Sequence, residues 1–324
     1  LPVVFKPLYS RLLVIIMKKL IFFILFAIAF GPRPAYCGSE IVVLQGIRVK
    51  PYAEALEGFA AVCGCRLKEM VLSEMPGVNV SRKIDGLKPR MVLALGMQGL
   101  AEARKIRDIP VVYLMVLNPQ AMLAGESNIT GVSMHIPPEK QLAALADALP
   151  FKTNIGLLYD PDRSALFVEN ARQAAAQMGL NLVARQIRDA RQAPDLILGL
   201  QDKIDVFWML PDVTVATPET VEFLLLFSFE NKVPIFSFSE KYVEMGAFMS
   251  MDIDARDMGR QAGEMAAAIL AGTDVDRIEP VYAARAVVST NVMIARKMGI
   301  NLTLAMTSGV KINEKIFRRV QSIN

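Results

Sequence analysis

The sequence predicts a mixed α/β fold built from two doubly wound lobes, on three observations. Short apolar runs alternate with helix-like segments through most of the 324 residues. The runs are uninterrupted, which marks strands buried on both faces of a parallel sheet. Their order and spacing then recur: the first strand and its helix end at Gly64 in one half and at Gly179 in the other, and the fourth strands read Ile-Pro-Val-Val at 109–112 and Val-Pro-Ile-Phe at 233–236.

In the first half, Ile41 to Gln45 is an apolar strand stopped by Gly46. Pro51 opens a helix carrying Leu56, Phe59 and Cys63 at spacings of three and four, and Gly64 closes it. Arg66 to Leu72 is a second strand, and Met75 to Arg90 reads as a short helix and loop. Met91 to Leu95 stops at Gly96, a helix-like stretch follows, and Val111 to Val116 leaves through Asn118-Pro119. Asn128 to Ser133 is a fifth strand, and Pro137-Pro138-Glu139 starts a helix that ends at Pro150.

The second half repeats the scheme. Asn154 to Tyr159 is a strand, Ser164 is placed as the cap of a helix running to Met178, Leu180 to Ile187 is a strand, and a helix covers Ala193 to Lys203. Ile204 to Leu210 is a buried strand. Thr217 caps a helix with Pro218 in its first turn. Val233 to Phe238 is a strand, Ser239 to Met245 a short helix, and Ala247 to Met251 closes the half. An amphipathic helix from Asp254 to Ala271, a strand near Val281 to Val288 and a helix from Asn291 to Lys297 follow; the tail from Thr303 is weakly patterned.

The N-terminus stands apart. Met17-Lys18-Lys19 precedes eleven apolar residues, Leu20 to Phe30, which Gly31, Pro32 and Pro34 break. This reads as a secretory signal peptide with initiation at Met17, residues 1–16 as upstream sequence and cleavage before Gly38. The run is shorter than the roughly 20 residues a spanning helix takes. Cys37 is also placed for lipidation, although Tyr36 sits where that processing takes a small residue. The chain carries 36 basic and 32 acidic residues; without the five basic residues of 1–37, a net of −1 remains. That balance, with no basic cluster, excludes a nucleic-acid partner.

Cys63 and Cys65, one residue apart, read as buried thiols and are too few for structural zinc. His135, the single histidine, reads as a surface side chain before Pro137-Pro138. No phosphate loop, nucleophile elbow or dinucleotide glycine fingerprint is present. The reading is therefore no metal, no cofactor and no catalytic residue.

Six runs, in this order, carry a resemblance: IPVVYLMVLNP at 109–119, NITGVS at 128–133, NIGLLYDP at 154–161, IDVFWMLPDVTVATPETVE at 204–222, VPIFSFSEKYVEMGA at 233–247 and DIDARDMGRQAGEMAAAILAG at 252–272. They resemble the substrate-binding proteins of ABC transporters with the periplasmic binding protein type I fold, in the branch that includes tryptophan- and tyrosine-uptake binding proteins. The resemblance spans about residues 38–302. It implies two Rossmann-like lobes joined by three hinge strands, 38–150 with 252–279 and 151–251 with 280–302, crossing near Pro150–Thr153, Ser250–Asp252 and Ile278–Val281; 303–324 is left as a C-terminal tail. It also implies a periplasmic monomer that takes a small organic ligand, such as an amino acid or related carboxylate, between closing lobes and serves an ABC transporter permease in the inner membrane. A ligand-sensing module for a membrane signalling protein uses the same cleft and is the alternative; an α/β enzyme is the third reading.

In doubly wound sheets, ligands meet the carboxyl ends of strands. By the resemblance those ends are Gln45, Gly96, Met97, Gln98 and Asn118 in lobe one, Tyr159, Asp212, Thr214 and Phe238 in lobe two, and Asp252 at the hinge. Gly96-Met97-Gln98 opens a helix, whose N–H groups and dipole favour a carboxylate. Met97 stands where the family often has a hydroxyl residue, and Asn118 where it commonly has an acid, so the ligand need not be a cation. Asp212 either binds an amine, the preferred reading, or caps a turn. Tyr52, Tyr159 and Phe238 offer ring faces. Trp208 reads as core, Arg48 and Lys50 as solvated loop charges, and one of Asp252 and Asp254 as the helix cap.

Overall fold

The computed structural model describes residues 40–123, 125–150, 152–302 and 316–323. The signal peptide, the start at Met17 and the lipidation of Cys37 lie outside the described residues. The first half runs β1 (Glu40–Gln45), α1 (Lys50–Cys63), β2 (Arg66–Val71), α2 (Val80–Leu87), β3 (Met91–Leu95), α3 (Gly96–Ala103), β4 (Val111–Val116), β5 (Ile129–Ser133) and α4 (Pro138–Ala148). The second runs β6 (Asn154–Tyr159), α5 (Pro161–Gln177), β7 (Asn181–Gln186), α6 (Ala193–Leu198), β8 (Val206–Trp208), α7 (Pro218–Asn231), β9 (Ile235–Ser237), α8 (Glu240–Met245) and β10 (Met249–Ile253). Then come α9 (Ala255–Leu270), β11 (Val281–Tyr282), β12 (Arg285–Asn291), α10 (Val292–Lys297) and β13 (Ile316–Ser322).

Two sheets result. The first has the order β11-β5-β4-β3-β1-β2 and is parallel throughout. The second has the order β13-β12-β10-β9-β8-β6-β7; only β12 runs against its neighbours, β10 and β13. The chain passes between sheets after α4, after β10 and after β11. The single strand expected over Val281 to Val288 is two strands. Val281 and Tyr282 pair with Val132 and Ser133 in the first sheet, whereas Ala286 and Val287 pair with Ile253 and Asp252 in the second. Phe151, in the first passage, lies outside the described residues. The weakly patterned tail contributes β13, which pairs along the whole of β12.

The strands β3, β4 and β5 are buried at every residue, as uninterrupted apolar runs require. One apolar cluster passes through both lobes, from Leu93 and Leu114 through Leu142 and Leu145 of α4 to Leu157, Trp208 and Phe236. The lobes therefore share a packed back. On lobe one, α9 lies against α1. Their closeness depends on glycine: a Cβ on Gly58 would stand 2.0 Å from the Arg256 carbonyl oxygen, and one on Gly259 would stand 1.9 Å from that of Ala55. This contact seats α9 on lobe one, although β10 just before it belongs to the second sheet.

Three local expectations are corrected. Cys63 and Cys65 form a disulfide. Gly64 between them takes φ 60 and turns the chain so that the two Cα atoms are 5.2 Å apart, within bridging reach. Helix α5 starts at Pro161 with Asp160 as its cap; the Ser164 hydroxyl goes elsewhere. His135 is not a free surface side chain: it is half-buried, with ring centroids 5.4 Å from Tyr282 and 6.1 Å from Phe167, and burial lowers its pKa.

Candidate functional site

On lobe one, the strand ends are arranged around two glycines. Gly96 takes φ +75 and begins α3, whose N-terminus has no capping side chain. The first-turn N–H groups of such a helix have no partner within it. The Tyr52 hydroxyl from α1 stands over Gly96, where a Cβ would be only 1.9 Å from it. Gln98 lies in the same way over Gly46, its Oε1 1.9 Å from where a Cβ would be. Gln45, at the end of β1, is buried and donates to Glu69 at 3.0 Å. Arg48 is held between Glu74, at 3.0 Å, and Glu69, so its pKa is raised, first by the hydrogen bond to Glu74. It is a solvated charge, as expected, and also a paired one.

The rim of this wall is apolar. Ile47 is 51% exposed, Met97 47% and Leu117 39%. Asn118 is exposed beside Leu117, with extended φ and no capping bond from its side chain. Before them Met115 takes φ 57, where the β4–β5 register shifts between Tyr113 and Val116. A positive φ at a methionine is backbone strain, and the bulge redirects the strand end.

Lobe two is different. Asp212 is 2% exposed, and its carboxylate accepts from the Asp160 N–H at 2.8 Å, the Ser164 hydroxyl at 2.8 Å and the Thr214 N–H at 3.0 Å. The Thr214 hydroxyl donates to Asp160 at 2.8 Å. That bond, followed by the Asp162 N–H, lowers the Asp160 pKa. Asp212 and Thr214 thus tie the end of β8 to the end of β6 and the first turn of α5. Tyr159 is buried, and its hydroxyl accepts from Gln186 at 3.1 Å. Phe238 is half-buried against Tyr242, ring centroids 5.1 Å apart. A cavity of about 460 Å³ opens between α7 and α8, lined by Val221, Leu225, Tyr242 and Met245 among others, and none of the ten expected site residues lines it.

Asp252 occupies the passage from β10 to α9. It is half-buried, accepts from the Ile253 N–H at 2.9 Å and is hydrogen-bonded to Ser239. Desolvation, with smaller contributions from the carboxylates of Glu240 and Glu54, raises its pKa to about 6. Asp254 is the cap of α9, accepting from the Asp257 N–H at 3.0 Å. Trp208 is core, packed between Phe167 and Phe236. The structure thus brings Gln45, Gly96 and Gln98 together with Tyr52, and Asp212 with Thr214. Sequence reasoning missed Ser164 and Asp160 as partners of Asp212; Pro211-Asp212-Val213-Thr214 holds the one readable signal, an aspartate bonding the N–H two residues on. Among the described residues, no three His, Cys, Asp or Glu side chains group as metal ligands, and no helix is long and apolar enough to cross a membrane.

Residues 73–322 match the profile of the family described as ABC transporter substrate binding protein. This chain belongs to the ABC transporter substrate-binding protein family. As one, it is similar to a tyrosine-binding protein of Clostridioides difficile strain R20291, 24% identical over 242 residues that cover 71% of this chain and 70% of the relative. Among solved structures it is similar to the ligand-free, open form of a substrate-binding protein with adhesive properties from Clostridium difficile, with TM-score 0.72 and 22% identity over 82% of this chain and 96% of that one. It is also similar to an ABC domain in complex with L-Trp from Streptococcus pneumonia, with TM-score 0.63 and 22% identity over 83% of this chain and 97% of that one. The two parallel-sheet lobes are those of the periplasmic binding protein type I fold. The family and the fold expected of this substrate-binding protein are therefore borne out.

Proposed function

We propose that this substrate-binding protein is exported to the periplasm, holds a small organic carboxylate such as an amino acid between its lobes, and delivers it unchanged to an ABC permease of the inner membrane. The wall of lobe one carries the reading. An uncapped helix N-terminus beside a tyrosine hydroxyl suits a carboxylate, and the open apolar rim of Ile47, Met97 and Leu117 suits an apolar body. The relatives named for tyrosine and solved with L-Trp support the amino-acid class. The lobes are proposed to hinge where the chain changes sheet, between 148 and 154, after 253 and between 282 and 285, which gives residues 281–282 to the first lobe rather than the second.

Thermal-shift screening against amino acids, organic acids and short peptides tests the proposal. A ligand at 100 times its Kd stabilises the folded chain by about 2.7 kcal/mol. A panel in which nothing raises Tm counts against a receptor, and a bound compound recovered chemically altered counts against delivery without conversion.

A further inference from the structure

The carboxylates near the strand ends differ in whether they already have partners. Glu69 and Glu74 hold Arg48. Asp162 holds Arg188 at 2.6 Å. Asp160 caps α5 and accepts from Thr214, and Asp212 accepts from three donors. Among the described residues, no cation pairs with Asp252. Its bonds come from the Ile253 N–H and Ser239, and the charges that face it are the carboxylates of Glu54 from lobe one and Glu240 from lobe two. Each of those has a cation of its own: Lys50 lies 3.7 Å from Glu54, and Arg318 pairs with Glu240.

A second observation lies one step deeper. Ser250 is fully buried, and among the described residues its hydroxyl has no hydrogen-bond partner. Residues two apart on a strand share a face, so Ser250 and Asp252 lie on the same side of β10. A buried hydroxyl left unsatisfied is rare and costly. With Asp252 on the same side of the strand, it leaves acceptor oxygens on this face of β10.

We infer that Asp252 is the cation anchor of the cleft, taking the primary ammonium of a zwitterionic ligand with Ser239 beside it. This rests on the receptor reading and deepens it. The anchor sits near the end of β10, just before the chain leaves the second sheet, with Glu54 of the opposite lobe facing it, so a cation there relieves repulsion from both sides. Capture is then linked to pH. A cation lowers the pKa of the Asp252 carboxyl from its raised value in the free protein, so protonating Asp252 opposes binding, and affinity falls as the pH drops below about 6.

The test compares L-tyrosine with 3-(4-hydroxyphenyl)propionate, which lacks the ammonium; if another amino acid gives the largest shift in the panel, that acid and its desamino analogue are used. Calorimetry on the full chain is expected to show Kd for the amino acid rising roughly tenfold per pH unit below 6, with Kd for the desamino acid flat. Asp252→Asn is expected to weaken the amino acid about 100-fold, leave the desamino acid within about threefold and abolish the pH dependence. Equal weakening of both ligands, a flat pH profile for the amino acid, or binding of the desamino acid alone by the unaltered protein overturns the anchor and leaves the receptor standing. Binding of neither ligand class overturns the receptor reading, and the anchor with it.

Discussion

At the strand ends of lobe one, large apolar side chains stand open: Ile47, Met97 and Leu117. At the strand ends of lobe two, polar side chains are fastened to one another through Asp212, Asp160, Thr214 and Ser164. The same fold element, a strand leading into a helix, is a contact surface in one lobe and a brace in the other. In lobe one a glycine makes the turn and leaves the helix N-terminus uncapped. In lobe two Asp160 makes the turn and caps α5 itself. An acid at a strand end is thus no evidence of ligand contact until its donors are counted.

The sharpest way to break this contrast is Asp212→Ala. It orphans one buried N–H group, one half-buried N–H group and a half-buried hydroxyl, each worth up to about 1–3 kcal/mol when left unsatisfied. A loss of about 3 kcal/mol in urea unfolding is expected, and a loss under about 1 kcal/mol removes the brace. Next comes Gly96→Ala. The new Cβ meets the Tyr52 hydroxyl at φ +75, and the αL backbone alone costs about 1–2 kcal/mol. A drop in Tm together with ligand affinity at least about tenfold weaker is expected, since a helix-terminal site tolerates little displacement; unchanged affinity places the carboxylate elsewhere. Met97→Ser separates contact from brace. Exposed as it is, it should shift stability by less than about 0.5 kcal/mol, yet cost about 1 kcal/mol of affinity for L-tryptophan through lost apolar burial. A large stability loss would make Met97 a structural residue. The smallest effect belongs to the double change Cys63→Ser and Cys65→Ser. The bridge encloses one residue, and so short a loop is worth about 1 kcal/mol or less, with ligand affinity unchanged.

The strands were legible because burial on both faces leaves no room for polar residues: Met91–Leu95 and Val111–Val116 are apolar throughout, and both are fully buried. Two of the three partners of Asp212, Asp160 and Ser164, were not. They come from about fifty positions earlier in the chain, and nothing in Pro211 to Thr214 specifies a hydroxyl arriving from α5. Sequence distance also hid the neighbours of His135, since Phe167 and Tyr282 both come from much later in the chain. β13 was hidden for another reason. An edge strand buries little, and its Arg318, Arg319 and Val320 are half-buried or exposed, so it lacks the unbroken apolar run of β3 or β4. The disulfide depended on the backbone angle of Gly64, which residue spacing does not disclose. Gly96, by contrast, was visible as a turn, because it stands between an apolar run and a helix, and its φ is +75.

The single tryptophan of the chain, Trp208, is 1% exposed and boxed between the rings of Phe167 and Phe236. Its emission belongs at the blue end of the indole range and out of reach of a dissolved quencher such as iodide. An optical titration with a non-indole ligand should therefore leave this signal nearly still while the cleft fills, and move it sharply only when the interior of lobe two comes apart. The protein carries a built-in lamp that reports melting and stays blind to capture.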